Sequence, residues 1–168
     1  MADVQLANEE LQRGAVQIIP AARRVCYSAF LTATPRLMEP VNRVEIQTSQ
    51  AAINEVHKVV SFRRGRVISE SRCPGTPFHI IMAHVPVIET SGFESDIRIQ
   101  TAQQAFCLQI FDHWEIVPGD PCDKSIVLVP LEPSPNQHLA REFMVKTRRR
   151  KGLSEDVSFS KFFDGGHI

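Results

Sequence analysis

Several signals that would assign a chemistry are missing from this sequence. Its 168 residues contain no G-x-x-x-x-G-K-[ST] segment, so the backbone amides that cradle nucleotide phosphates in P-loop proteins are not encoded. The four cysteines form no C-x-x-C pair, which argues against a zinc site, a thiol redox motif or a disulfide framework. No apolar run is long enough to span a bilayer or to act as a secretory signal. We therefore expect an intracellular protein with reduced thiols and no membrane partner.

An excess of charge is also missing. The 19 lysines and arginines balance 19 aspartates and glutamates, which gives a formal net charge of zero. This balance argues against a dedicated nucleic-acid coat, because such proteins carry strongly basic domains, although it leaves a local basic patch open. The hydrophobic fraction of 43% and the charged fraction of 23% are ordinary for a globular protein, so we expect one packed domain with flanking segments.

The titratable side chains form no recognisable catalytic or metal-binding pattern. The six histidines lack an H-E-x-x-H motif and paired metal spacing, and His79 and His84 are expected on opposite faces of a strand. Cys107, Asp112 and His113 have the residue types of a nucleophile and its base, but nothing in the pattern orients them. We predict no catalytic residue, metal site, bound cofactor or small-molecule substrate. A small stand-alone enzyme that uses Cys107 or the histidines is the alternative of another class, and a thiol of low pKa would support it.

The hydrophobic periodicity predicts an α+β domain. Residues 44–48 alternate as a half-buried strand, and apolar residues on both faces of the segment that begins at Phe78 predict a central strand. The remaining elements are expected as a helix at about 51–64 that ends at Gly65, a strand at 66–71, a helix at 92–102 and a strand at 106–116. The order strand-helix-strand-strand-helix-strand is that of a ferredoxin-like split β-α-β sandwich.

Two further helices flank this domain. The first is expected at about 20–34, with Pro20 at its first position and Pro35 beyond its end, and it carries a stripe of small residues. The second is expected at about 136–150, after a proline-rich linker whose apolar run at 126–129 is expected to pack. An apolar tail at 157–163 is expected to dock. We divide the chain into residues 1–39, the central domain 40–118 and a C-terminal extension 119–168.

The second flanking helix ends in the most suggestive feature of the sequence, a basic run. The run predicts contact with RNA phosphates or a partner, or a nuclear import signal. The alternative is a solvated helix end whose cations complement the helix dipole. The candidate residues are Lys146, Arg148, Arg149, Arg150 and Lys151.

Several segments resemble the C-terminal part of the eukaryotic ribosomal translocases of the elongation factor 2 family. Two of them resemble the junction between the fourth and fifth domains of that family, and the others resemble its fifth domain. They are residues 17–24, 33–40, 64–67, 75–77, 92–93, 96–98, 104–106 and 111–121. Residue Gln103 departs from the family pattern, because a glycine is usual at this position. Together these segments are long and specific.

The end of the chain distinguishes two branches of the family. Residues 123–133 and 138–157 closely resemble the spliceosomal branch, the GTPases of the U5 small nuclear ribonucleoprotein. The tail of the cytosolic elongation factor is shorter and shares mainly the basic run. The resemblance therefore favours the spliceosomal branch, and the alternative is the C-terminal domain of an elongation factor that contacts ribosomal RNA.

The resemblance implies a non-catalytic module in pre-mRNA splicing, located in the nucleus. The implied partners are the large U5 scaffold protein, the helicase that unwinds U4/U6, and U5 RNA. GTP and Mg²⁺ are expected only in a GTPase domain that this chain does not contain. The two flanking helices are expected without the sheet that they would cover. We therefore hypothesise that they pair with each other or leave an exposed apolar patch that drives association.

Overall fold

A computed structural model describes residues 5–129, 132, 134–158 and 161–162 of the chain. The helices and strands are, in chain order, α1 (Ala15–Thr32), β1 (Met38–Ser49), α2 (Ile53–Phe62), β2 (Arg66–Arg72), β3 (Phe78–Pro86), α3 (Phe93–Gln100), β4 (Ala105–Ile116) and α4 (Leu139–Arg150). The chain divides into a central unit, Met38–Val117, and a second unit made of Met1–Leu37 and Pro118–Ile168. None of the helices in the described part is both long enough and apolar enough to cross a bilayer.

The central unit is a four-stranded sheet with two helices. The strand order is β2-β3-β1-β4, and every neighbouring pair is antiparallel. Alternate side chains of the strands join side chains of α2 and α3 in one buried cluster, so both helices cover the same face of the sheet. This arrangement confirms the predicted α+β, ferredoxin-like split β-α-β fold, including the central position of β3.

The core of the central unit is made of aliphatic side chains, one phenylalanine and Cys107. Val56 and Val60 of α2 and Phe93 and Ile97 of α3 are fully buried. These pairs lie four residues apart, so each helix presents one apolar stripe to the sheet. Full burial of each such side chain is worth about 1.5–3 kcal/mol, which explains why the short helices hold their positions.

The C-terminal end of α2 differs from the prediction at Gly65. The residue with left-handed backbone conformation at this helix end is Arg64, with φ of +57°, and Gly65 does not have a positive φ. Arg64 is held there by an ion pair with the buried Glu39, whose two carboxylate oxygens lie 2.5 and 3.3 Å from the guanidinium nitrogens. Gly65 instead allows close approach, because a Cβ atom on it would lie 2.8 Å from Val60 Cγ1 and 3.0 Å from the carbonyl oxygen of His84.

An arginine also joins the two helices of the central unit. Arg63 Nε donates to Asp96 at 3.1 Å, and Arg63 Nη1 donates to the carbonyl oxygens of Glu89 and Ser91 at 3.3 and 3.0 Å. Asp96 near the start of α3 is therefore the partner of a cross-helix arginine. No side-chain hydrogen bond caps the start of α3.

The second unit contains α1 and α4. Helix α1 begins at Ala15, so the predicted start at Pro20 is wrong, and Pro20 lies inside the helix. Proline has no backbone N–H, so at this sixth residue of the helix it removes the hydrogen bond that would reach the carbonyl oxygen of Val16. None of the residues of α1 is buried. Helix α1 thus exposes an apolar face, which is one part of the second of the two hypothesised alternatives.

The segments around α4 agree only partly with the expectations. Val127 is 85% exposed and Val129 is 53% exposed, so the apolar run at 126–129 does not pack as predicted. In the apolar tail, the ring of Phe162 contacts the ring of Tyr27, with 5.2 Å between centroids. Residues 159–160 and 163 of the same predicted tail lie outside the described residues.

Candidate functional site

Helix α4 carries the predicted basic run at its C-terminal end and is anchored by its buried residues. The backbone amide of Ala140 donates to the carbonyl oxygen of Pro118 at 3.1 Å, which ties the first turn of the helix to the preceding segment. Leu139, Ala140 and Val145 are buried. The apolar side of α4 therefore fixes the direction in which the cations at its C-terminal end project.

One member of the basic run belongs to a structural ion pair. Lys146 donates to the buried carboxylate of Glu142, one turn earlier in the helix, and the backbone amide of Ser134 donates to the same carboxylate at 3.2 Å. Burial alone would raise the pKa of Glu142, but the hydrogen bonds from Lys146 and Ser134 outweigh it and hold this pKa below its usual value. Lys146 is therefore engaged in an ion pair within the helix.

Two arginines of the run bind the segment that follows the helix. Arg148 Nε donates to the carbonyl oxygen of Ser154 at 2.5 Å. Arg149 pairs with Glu155, with Nη2 at 3.0 Å from a carboxylate oxygen, and this hydrogen bond raises the pKa of Arg149. Both arginines thus use some of their N–H groups in hydrogen bonds within the chain. Only the remaining N–H groups of each guanidinium can bind a ligand.

The last two cations of the run are different. Arg150 and Lys151 are exposed, and neither has a side-chain partner within the described part of the chain. Their position at the C-terminal end of α4 also places them at the negative end of the helix dipole, which stabilises cations. The five predicted residues thus divide into three that are engaged and two that have no side-chain partner in the described part of the chain.

The alternative enzymatic site is not assembled. Cys107 lies on the buried face of β4, opposite Ile46, whereas His113 lies beyond an irregularity of that strand and contacts Asp112. Burial raises the pKa of the Cys107 thiol, which is the opposite of what a reactive thiolate requires. The structure does not bring the thiol and the proposed base together.

The open face of the sheet also lacks the stacking pair of an RNA recognition module. On the two central strands, the side chains that face away from the helices are polar on β1, namely Arg43, Glu45 and Gln47. On β3, Phe78 is the aromatic residue of that face. Base stacking by such modules uses aromatic residues on both central strands, so this sheet does not have their recognition surface.

Comparison with known proteins identifies the class to which this fold belongs. Residues 36–125 match the family described as the elongation factor G C-terminus. The match covers more than half of the chain, and the fold and the order of its elements agree with it. The chain therefore belongs to the family of elongation factor G C-terminal domains.

Particular relatives are found within the splicing apparatus. The chain is 64% identical over 162 residues to the 110 kDa U5 small nuclear ribonucleoprotein component CLO of Arabidopsis thaliana and 64% identical to the 109 kDa component GFL of the same plant. It is 53% identical to the pre-mRNA-splicing factor cwf10 of Schizosaccharomyces pombe. Each comparison covers 96% of this chain but only 16% or 17% of the relative, so the chain spans about one sixth of their length.

Proposed function

We propose that this chain is a binding module of a U5 ribonucleoprotein GTPase and acts in pre-mRNA splicing in the nucleus. The observation that carries the proposal is the identity of 64% over 96% of the chain to a U5 component, since it extends beyond the family domain into the C-terminal extension. That extension contains α4 and its two available cations. The module is proposed to have no catalysis of its own, and GTP and Mg²⁺ are proposed to bind only the GTPase domain of that GTPase.

The proposed partners are proteins of the U5 particle and its RNA. The large scaffold protein of the particle and the helicase that unwinds U4/U6 are the proposed protein partners. U5 RNA is proposed to contact Arg150 and Lys151, because exposed cations at a helix end, without a side-chain partner among the described residues, suit phosphate groups. The same two residues are proposed to contribute to nuclear import.

Recovery of RNA from nuclear extract tests this function. The tagged 168-residue chain is incubated in extract and recovered, and U5 RNA and ribosomal RNA are quantified. We expect U5 RNA to be enriched over ribosomal RNA. Enrichment of ribosomal RNA would instead support an elongation-factor module, and recovery of neither RNA would refute the proposed RNA contact.

Two matched variants separate the available cations from the engaged one. Arg150→Gln with Lys151→Gln is expected to reduce the recovered U5 RNA several-fold and to lessen its salt dependence, because two phosphate contacts are lost. Lys146→Gln is expected to leave recovery unchanged at equal folded concentration, because Lys146 already pairs with Glu142. An equal loss of RNA in both variants would show that the division of the basic run is wrong.

A further inference from the structure

A cluster of three potential metal ligands lies on the open face of the sheet, apart from the basic run. His84 comes from β3, and Asp112 and His113 come from β4, although β1 lies between these strands. One ligand atom from each residue can be chosen so that all three lie within 4.8 Å of one another. Asp112 Oδ2 is 2.7 Å from His113 Nδ1 and 3.5 Å from His84 Nε2, and the two imidazole centroids are 5.0 Å apart.

An irregularity in β4 creates the cluster. In the pairing of β1 with β4, Asn42 lies opposite Phe111, and the next residue, Val41, lies opposite His113. The pairing therefore skips Asp112, which has no partner residue on β1. Consecutive side chains of a regular strand point to opposite faces, whereas a β-bulge can place two of them on the same face. The bulge thus directs both Asp112 and His113 toward His84. Bulges that re-aim side chains in this way are frequent beside functional sites.

We propose that His84, Asp112 and His113 form a binding site for a divalent transition-metal ion of the Zn²⁺ type. Two imidazole nitrogens and one carboxylate oxygen are a donor set that such ions accept, and three protein ligands leave a coordination position open to water or to a partner's side chain. His84 Nδ1 is buried and has no hydrogen-bond partner among the described residues. No hydrogen bond at this nitrogen fixes the tautomer of His84, so Nε2, which lies 3.5 Å from Asp112 Oδ2, can be the unprotonated nitrogen that binds the ion.

The surrounding charges predict a moderate affinity. Glu115 Oε2 lies 4.0 Å from His113 Nε2 and adds a second carboxylate beside the cluster. Arg66 pairs with this same Glu115 at 3.5 Å, and Arg43 adds a second positive charge near Asp112. The two guanidinium groups offset part of the attraction that the two carboxylates exert on the ion. Removal of the positive charge at Arg43 should consequently strengthen binding.

Calorimetric titration with ZnCl₂ tests the site on the full 168-residue chain. The titration uses the Cys26→Ser background, because the exposed thiol of Cys26 would bind zinc on its own. We expect one saturable site. Asp112→Asn and His113→Gln should each weaken binding at least about tenfold, and Arg43→Gln should tighten it several-fold. The half-exposed position of Asp112 makes its isosteric substitution compatible with folding, which circular dichroism verifies.

A histidine outside the cluster provides the matched control. His57 Nε2 lies 3.2 Å from a carboxylate oxygen of Glu70, so it resembles the cluster histidines in its local chemistry. His57→Gln should leave the zinc titration unchanged. Absence of saturable binding at 100 µM protein and metal would overturn the proposal. Binding that Asp112→Asn and His113→Gln leave intact, or that His57→Gln weakens equally, would overturn it as well.

Discussion

Single residues in the turn before β4 adopt a conformation that glycine would adopt more easily. Ala102 and Gln103 have φ of +48° and +64°. The left-handed conformation costs a non-glycine residue about 1–2 kcal/mol, whereas glycine costs about 0.5–1 kcal/mol in chain entropy. We therefore expect Gln103→Gly to raise the free energy of unfolding by up to about 1 kcal/mol, as measured by urea denaturation.

The neighbouring glutamine is the control for this substitution. Gln104 has no positive φ, and its side-chain oxygen accepts a hydrogen bond from Ser49 Oγ at 2.6 Å. Gln104→Gly should accordingly lower the stability. A loss of similar size in Gln103→Gly would show that the turn is not strained. The glycine that the family resemblance leads one to expect at position 103 is thus explained by the backbone.

Gly65 should be intolerant of a side chain for a different reason. A Cβ atom there would lie 2.9 Å from the carbonyl oxygen of Val60, and neither this oxygen nor that of His84 can rotate away. We expect Gly65→Ala to lower the free energy of unfolding by about 1–3 kcal/mol in chemical denaturation. Gly14→Ala meets mainly the flexible amide of Gln17 and should cost much less. Equal costs would argue against the close approach at Gly65.

Among the elements, those with strong periodicity were predictable from the sequence. The strands and helices of the central unit follow from alternation and from apolar stripes, because one face of each is buried. The start of α1 was missed, since a proline inside a helix and a proline at its first position leave the same local signal. The role of Arg64 was missed because its conformation depends on Glu39, which is distant in sequence.

The candidate sites were also predictable only where they do not depend on residues distant in the sequence. The basic run is contiguous, so the sequence located it, but Glu142, Ser154 and Glu155 decide which of its cations are engaged. The histidine and aspartate cluster was invisible in the sequence, because its ligands come from non-adjacent strands and depend on a bulge. A pattern that assumes strict alternation assigns Asp112 and His113 to opposite faces.

The anchoring of α4 makes its stability dependent on pH. The pKa of Glu142 is lowered in the folded chain, so its stabilisation is complete above the ordinary glutamate range and is lost as the pH falls through the folded pKa. Glu142→Gln should destabilise the helix by about 1–3 kcal/mol near neutral pH, since hydrogen bonds to a charged group are lost. The difference from the wild type should shrink as the pH falls toward 3. Amide hydrogen exchange within α4 at both pH values measures it.

An exposed pair is the control for Glu142. Glu55 and Lys58 form an ion pair on the surface of α2, with 38% and 71% of their side chains exposed. Such pairs contribute little to stability, so Glu55→Gln should change exchange in its helix only slightly near neutral pH. If Glu142→Gln behaves in the same way, the buried carboxylate does not anchor α4.

At the scale of the whole molecule, α1 is the feature most in need of a partner. It exposes large apolar side chains along its length, including Val16, Val25 and Phe30 at 84%, 67% and 64%. An open groove of about 420 Å³ lies beside this helix. Its lining residues are Tyr27, Phe30, Leu31, Arg148, Leu153, Val157 and Phe162. A helix that buries so little is marginal in water, and exposed apolar patches promote association.

We therefore expect the isolated chain to self-associate through α1. Sedimentation should show an average mass that rises with concentration, and deuterium exchange in α1 should slow over the same range. Val25→Glu combined with Phe30→Glu should keep the chain monomeric and α1 in rapid exchange, while β1 and β3 retain their protection. Ile68→Glu, on β2 and likewise about half exposed, is the control that should leave association unchanged. A wild-type chain that stays monomeric while α1 exchanges rapidly would show that the exposed face alone does not drive association.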